Sequence, residues 1–183
     1  MSQLKVDSVV PRGGLAAGTQ GGIIQMKYTS VNGVVSVACN QSGTNISAFD
    51  TTITPLFNTS RIIIQCYFGG ISSNSGNSLA WEIKRGDTRI DDLVGDGNGN
   101  RKRFTGRGVS TWNADANHTH SYSVNVMDFP ATTSAVTYKL FGAVEGANGR
   151  LFYFNRNRNN ANANNVYSAR LMSSMLVMEV NGL

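Results

Sequence analysis

Charged residues make up only 15% of the 183 residues, prolines number 3 and cysteines 2, and no apolar run approaches the roughly 18 residues that a membrane-spanning helix needs. Each shortage excludes something. The N-terminus, MSQLKVDSVVPRGG, lacks a basic region followed by an apolar core, so no signal peptide is read there and no membrane insertion is expected. Cys39 and Cys66 sit inside the apolar runs VVSVAC and SRIIIQCYF rather than at metal-ligand spacing, which predicts two buried thiols and folding in a reducing cytoplasm. Nucleophile and phosphate signatures such as G-x-S-x-G and G-x-x-x-x-G-K-[ST] are missing, and the 11 carboxylates scatter without a suggestive pair. The expectation is a non-enzyme with no cofactor.

With so little charge and with 20 glycines and abundant asparagine, the surface must be wetted by amides, hydroxyls and backbone. The formal charge of +5 is diffuse. Arg101, Lys102, Arg103 and Arg107 cluster, but Asp87, Asp91, Asp92 and Asp96 lie just upstream, so the region reads as a solvated loop partly paired across a hairpin. No specific nucleic-acid partner is expected. Asp96-Gly97-Asn98-Gly99-Asn100 begins like a calcium loop but meets Arg101 and Arg107 where Gly and Glu are required, so it reads as a plain turn.

What is present is strand signal. In 128–144, DFPATTSAVTYKLFGAV, a turn-forming half leads into strict alternation, with Val136, Tyr138, Leu140 and Gly142 on one side and Thr137, Lys139, Phe141 and Ala143 on the other. Similar runs recur at 23–29, 34–39, 50–54, 60–68, 79–85, 88–94, 118–126, 151–154 and 173–180. Asn32-Gly33 predicts a hairpin between the first two, and Gly86-Asp87 another. In 60–68 both sides are apolar: Ile62, Ile64, Cys66 and Phe68 face one way, Ile63 and Tyr67 the other. That pattern predicts a central strand from which water is excluded on both faces, by a second sheet or by a neighbouring subunit. The fold class is therefore all-β: an antiparallel β-sandwich or jelly roll of about ten short strands, occupying 23–183. Residues 1–22 are too Gly-rich for a helix, and Leu4, Val6, Val9, Val10 and Pro11 make them an extended anchoring arm.

The segments SQLKVDSVVPRGG, GGIIQMKYTSV, NTSRIIIQCYF, EIKRGDTRI, MDFPATTSAVTYKL, LFYFNR and SSMLVMEV, in that order, resemble small virion proteins of tailed phages, especially cyanobacterial or marine phages. The resemblance implies a tail-fibre, baseplate-appendage or capsid-decoration subunit with a head similar to the C1q/TNF-like jelly roll. It implies a homotrimer located in the virion, assembled in the bacterial host cytoplasm. Its partners would be copies of itself and other virion proteins of the tail, baseplate or capsid. A tail appendage contributing to host-surface attachment is the first reading, and a capsid cement protein the alternative.

Two stretches are candidate contact sites. Asn155, Arg156, Asn157, Arg158, Asn159 and Asn160 follow Phe152, Tyr153 and Phe154; amides suit sugar hydroxyls, aromatic faces stack on pyranose rings, and arginine attracts acidic groups, so a host-surface polysaccharide is the ligand considered. The bland reading is a polar loop over a buried aromatic strand. His118 and His120 share a strand face, where either can bind metal, and this three-residue run resembles the His-x-His pairs that meet on the threefold axis of phage spikes. The bland reading is two exposed polar histidines.

Overall fold

The computed structural model describes residues 22–73, 78–108, 117–144 and 149–180. The anchoring-arm residues Leu4, Val6, Val9, Val10 and Pro11 lie outside them. Among the described residues there are twelve strands and three single 3-10 turns: β1 (Ile23–Val31), β2 (Val35–Cys39), β3 (Thr44–Asn45), β4 (Thr51–Ile53), β5 (Arg61–Ser73), β6 (Leu79–Arg85), β7 (Thr88–Arg89), β8 (Gly106–Gly108), β9 (His120–Asp128), β10 (Val136–Val144), β11 (Arg150–Phe154) and β12 (Ser173–Val180). Among the described residues every strand pairing is antiparallel, and no helix is long and apolar enough to cross a membrane.

Several strands are halves of one broken lane. β12 pairs with β5 from Phe68 to Arg61, and β11 continues along the same edge from Ile71 to Ser73. β1 and β2 pair in turn with β12 and β11, so they too form one interrupted lane. Sheet A thus has the lanes β1/β2, β12/β11, β5 and β9. Sheet B has β3/β4, β10, β6 and β7/β8 by the same logic. Two four-lane sheets between which the chain crosses repeatedly, save for the β6–β7 hairpin that stays in sheet B, make an eight-lane jelly roll.

The Asn32-Gly33 hairpin is therefore a correction: β1 and β2 run on in the same direction and do not pair. A type I′ turn needs positive φ at both central residues, and neither Asn32 nor Gly33 has it. Gly86-Asp87 does turn a hairpin, with Arg85 opposite Thr88 and Gly86 at φ 58°. The strand expected over 88–94 stops at Arg89, where Arg89 turns its guanidinium onto Glu82 and a 3-10 turn takes over at Asp91–Leu93.

The alternation of β10 and β5 places Tyr138, Leu140, Ile62, Ile64 and Phe68 wholly inside, where sheet A meets sheet B. Phe49, Phe68, Trp81, Phe154 and Tyr122 form the centre, with ring centroids 5.0–5.6 Å apart in edge or tilted contact. Cys39 and Cys66 are free and buried, and desolvation pushes their thiols up to about 11 and about 12. Buried Asp128 accepts from Tyr138 at 2.6 Å and is ion-paired with Arg85 at 2.5 Å.

Water is not excluded from both faces of β5 by this chain. Tyr67 is 44% exposed and Ile63 half-buried, because the second sheet covers only the face bearing Ile62, Ile64, Cys66 and Phe68. The strand is nevertheless central, flanked by β12 and β9.

Candidate functional site

The lanes β1/β2 and β12/β11 of sheet A are interrupted level with residues 68–71 of β5, and the interruption builds the site. Register slips between Phe68 and Ile71 where β5 meets β9. Gly69 is required there, because a Cβ would lie 2.0 Å from the carbonyl oxygen of Met172. Ser173 Oγ accepts from Gly69 N at 3.1 Å, and Ser121 Oγ donates to Gly69 O at 2.6 Å.

Asn155 fills the gap between the half-lanes. It is fully buried at φ 63°, and its amide donates to Val31 O at 2.6 Å and Gly33 O at 2.9 Å while accepting from Ser173 Oγ at 2.6 Å. Its backbone N–H donates to Gly70 O at 2.8 Å, and its carbonyl accepts from Leu171 N at 3.2 Å. Four stretches of chain are tied by one side chain and its backbone. Asn155 cannot be a receptor contact. Asn157 is likewise buried, its amide donating to Tyr167 O and accepting from Asn160 N at 2.7 Å, so it shapes the loop instead of meeting a ligand. The aromatic platform is corrected too: Phe152 and Phe154 are core, and Tyr153 lies 5% exposed beneath the Arg156 guanidinium at 4.0 Å.

The remaining candidates reach the surface. Arg158, Asn159 and Asn160 are exposed and Arg156 is half-buried. Asn159 Nδ2 donates to Asn117 Oδ1 at 3.3 Å, and Arg170 Nη1 donates to Asn160 Oδ1 at 2.6 Å. The first bond brings the loop of 155–172 against the segment that enters β9, two stretches the sequence treats separately, and the second closes the loop on itself. Between them lies a cleft of about 350 Å³ lined by Gly69, Asn117, His118, Thr119, Asn157 and Tyr167, among others. His118 is exposed at this cleft, whereas His120 is half-buried in β9 with Nε2 buried and unpartnered among the described residues. No group of three or more His, Cys, Asp or Glu side chains that could hold a metal occurs among the described residues.

Tyr167, 64% exposed, is the aromatic this end of the sandwich presents, and sequence reasoning passed over it. Its signal was a lone tyrosine in a stretch with no apolar alternation, NANNVYSAR, where nothing draws the ring inward. Asn165 holds the tyrosine's 3-10 turn by accepting from Ser168 N at 2.9 Å. The rim thus offers amides, an imidazole and a phenol, with Arg158 and Arg170 exposed on the same loop, groups suited to polar ligands.

Outside this end, the outer face of sheet A carries an apolar row with tyrosines beside it. Register sets Met26, Met178, Ile63 and Met127 side by side across four strands, with Met178 buried between its neighbours; the next row holds Tyr28, Leu176, Gln65 and Asn125, and the one after sets Tyr67 among Ser30, Ser174 and Ser123. Met26, Tyr28 and Tyr67 are 60%, 57% and 44% exposed. Phe129, 52% exposed, carries the Arg61 guanidinium at 5.1 Å.

No protein-family profile and no curated protein sequence matches the chain. Among solved structures, it is similar to one of the infectious bursal disease virus Gx strain at 12% identity and TM-score 0.40, covering 98% of this chain and 45% of that one. It is also similar to a T=1 particle structure of a D431N mutant of the same virus's VP2 protein, at 11% identity and TM-score 0.37, covering 97% and 42%. The T13 particle of that virus gives 12% identity and TM-score 0.38, covering 93% and 41%. The chain spans less than half the length of these proteins. The jelly-roll assignment rests on this chain's own strand pairing.

Proposed function

We propose that this chain is a non-enzymatic structural subunit of a tailed-phage virion, self-associating through the outer face of sheet A and presenting the Tyr167 end of the sandwich to the host surface. The observation that carries the reading is the apolar row on the outer face of a jelly-roll scaffold. Contiguous exposed apolar surface marks an interaction site, and this one holds methionines and tyrosines in register with no charge in its central row. With Arg61 at its margin as a charged group, the face offers little complementarity to a charged partner and packs well on one like itself, which favours further copies of this chain. The ordered sequence segments that resemble phage virion proteins support a trimer, with the arm of 1–22 as its anchor to other virion proteins.

Static light scattering across the micromolar concentration range tests the assembly directly. A mass near three subunits is expected, with Met127→Glu and Met26→Glu shifting it to one subunit while circular dichroism stays unchanged. A native chain that runs as a monomer throughout that range refutes self-association by this face. Binding of the chain to empty capsids, abolished by removing 1–20, would instead place it on the head as a cement protein.

A further inference from the structure

We propose that the outer face of sheet B carries a binding site for an acidic saccharide, built from Arg101, Arg107 and Phe104 over a floor of small side chains. This goes beyond the reading above and uses the opposite sheet. Cross-strand register sets Ala143, Ala80 and Arg107 in one row on that face. Two adjacent alanines where the neighbouring row has Phe141 and Glu82 leave a depression, and the loop of 95–104 walls it with Arg101, Lys102 and Phe104. The cleft holds about 490 Å³, within the size range of sites for small ligands. A second depression of about 380 Å³ shares Arg101, Lys102 and Phe104 and adds Arg89 and Arg103. A ridge of two cations therefore divides two hollows, as suits a ligand with more than one sugar ring.

The charge accounting points to an anion. Arg89 is committed to buried Glu82 at 2.7 Å, and Arg103 to Asp91 at 2.8 Å. Arg107 meets a neutral oxygen instead, donating to Ser78 Oγ at 2.5 Å. Neither it nor Arg101 has a carboxylate partner among the described residues, and both are exposed. A planar guanidinium offers paired N–H donors that match a carboxylate or sulfate. The concave shape and apolar floor favour a sugar ring over a duplex, whose phosphates run along a convex ridge and need a linear stripe of cations.

The full-length chain is titrated by calorimetry with heparin-derived hexasaccharide and with hexagalacturonate, which separate sulfate from carboxylate as the anion read. Maltohexaose and a single-stranded hexanucleotide serve as comparisons. Binding to at least one acidic saccharide is expected, weakened about tenfold by Arg107→Gln and by Arg101→Gln, as for loss of one charge-assisted contact. Lys84→Gln, which removes the same charge from the same face outside both hollows, should leave it within about twofold. No binding of either saccharide, tighter binding of the hexanucleotide, or equal loss with Lys84→Gln overturns the proposal. Matching thermal melts confirm that each variant is folded, and both arginines are exposed enough to be replaced without loss of packing.

Discussion

Replacing Asn155 by alanine tests whether the interruption of sheet A is held by one side chain. The substitution removes two donors and one acceptor at a fully buried position. Left unsatisfied, a buried polar group costs about 1–3 kcal/mol. Gly33 O regains water in part, since its bond is only part-buried, and the Ser173 hydroxyl keeps the bond from Gly69 N, so the sum falls near the low end, about 2–4 kcal/mol. Alanine at φ 63° adds about 1 kcal/mol of left-handed strain, for a total of about 3–5 kcal/mol. Asn155→Gly loses the same bonds without that strain and should be more stable than the alanine variant by about 1 kcal/mol. Urea unfolding followed by circular dichroism, at one protein concentration because assembly would couple to folding, measures both. If Asn155→Ala costs under about 0.5 kcal/mol, as a surface substitution does, the side chain is not the tie described here.

Ile64→Ala should cost about 2–5 kcal/mol through lost burial and the cavity left, while Ile63→Ala, on the outer face, should cost under about 1 kcal/mol in monomeric protein; comparable costs in the monomer would mean that both faces are covered within one chain. Glu179 is desolvated, which raises its pKa, but bonds from Ser60 Oγ at 2.5 Å, Gln25 Nε2 at 2.6 Å and the backbone N–H groups of Leu56 and Phe57 outweigh burial and hold it below the ordinary value. Its stabilisation is thus present above the unfolded carboxylate's pKa and lost as pH falls through the folded one, so denaturant midpoints from pH 7 to pH 3 should drop less in Glu179→Gln than in the native chain. Parallel curves would refute that role. With thiols pushed up to about 11 and about 12, Cys39 and Cys66 should resist a disulfide reagent at about pH 8 until the chain is unfolded, and rapid labelling of the folded protein would contradict their burial.

The sequence by itself determined the fold class and most of the core. Alternation is a local property of each strand, so Val136, Tyr138 and Leu140 could be assigned to one face, and Ile62, Ile64 and Phe68 to another, without knowing any partner strand. The buried thiols followed from the same reasoning, since each sits in an apolar run. Tertiary structure alone decided which strands pair. Asn32-Gly33 looks like a hairpin turn, yet the lane runs straight through it because Asn155, 122 residues away, supplies the donor that bonds Gly33 O. Asn155, Asn157, Asn159 and Asn160 carry identical amides in one polar run, and only the long-range carbonyls of Val31 and Gly33 make the first worth burying. The meeting of His118 with Tyr167, and the contrast between an apolar row on the outer face of sheet A and a basic outer face on sheet B, have the same origin. Each depends on lane order and register, which join residues that local pattern cannot relate.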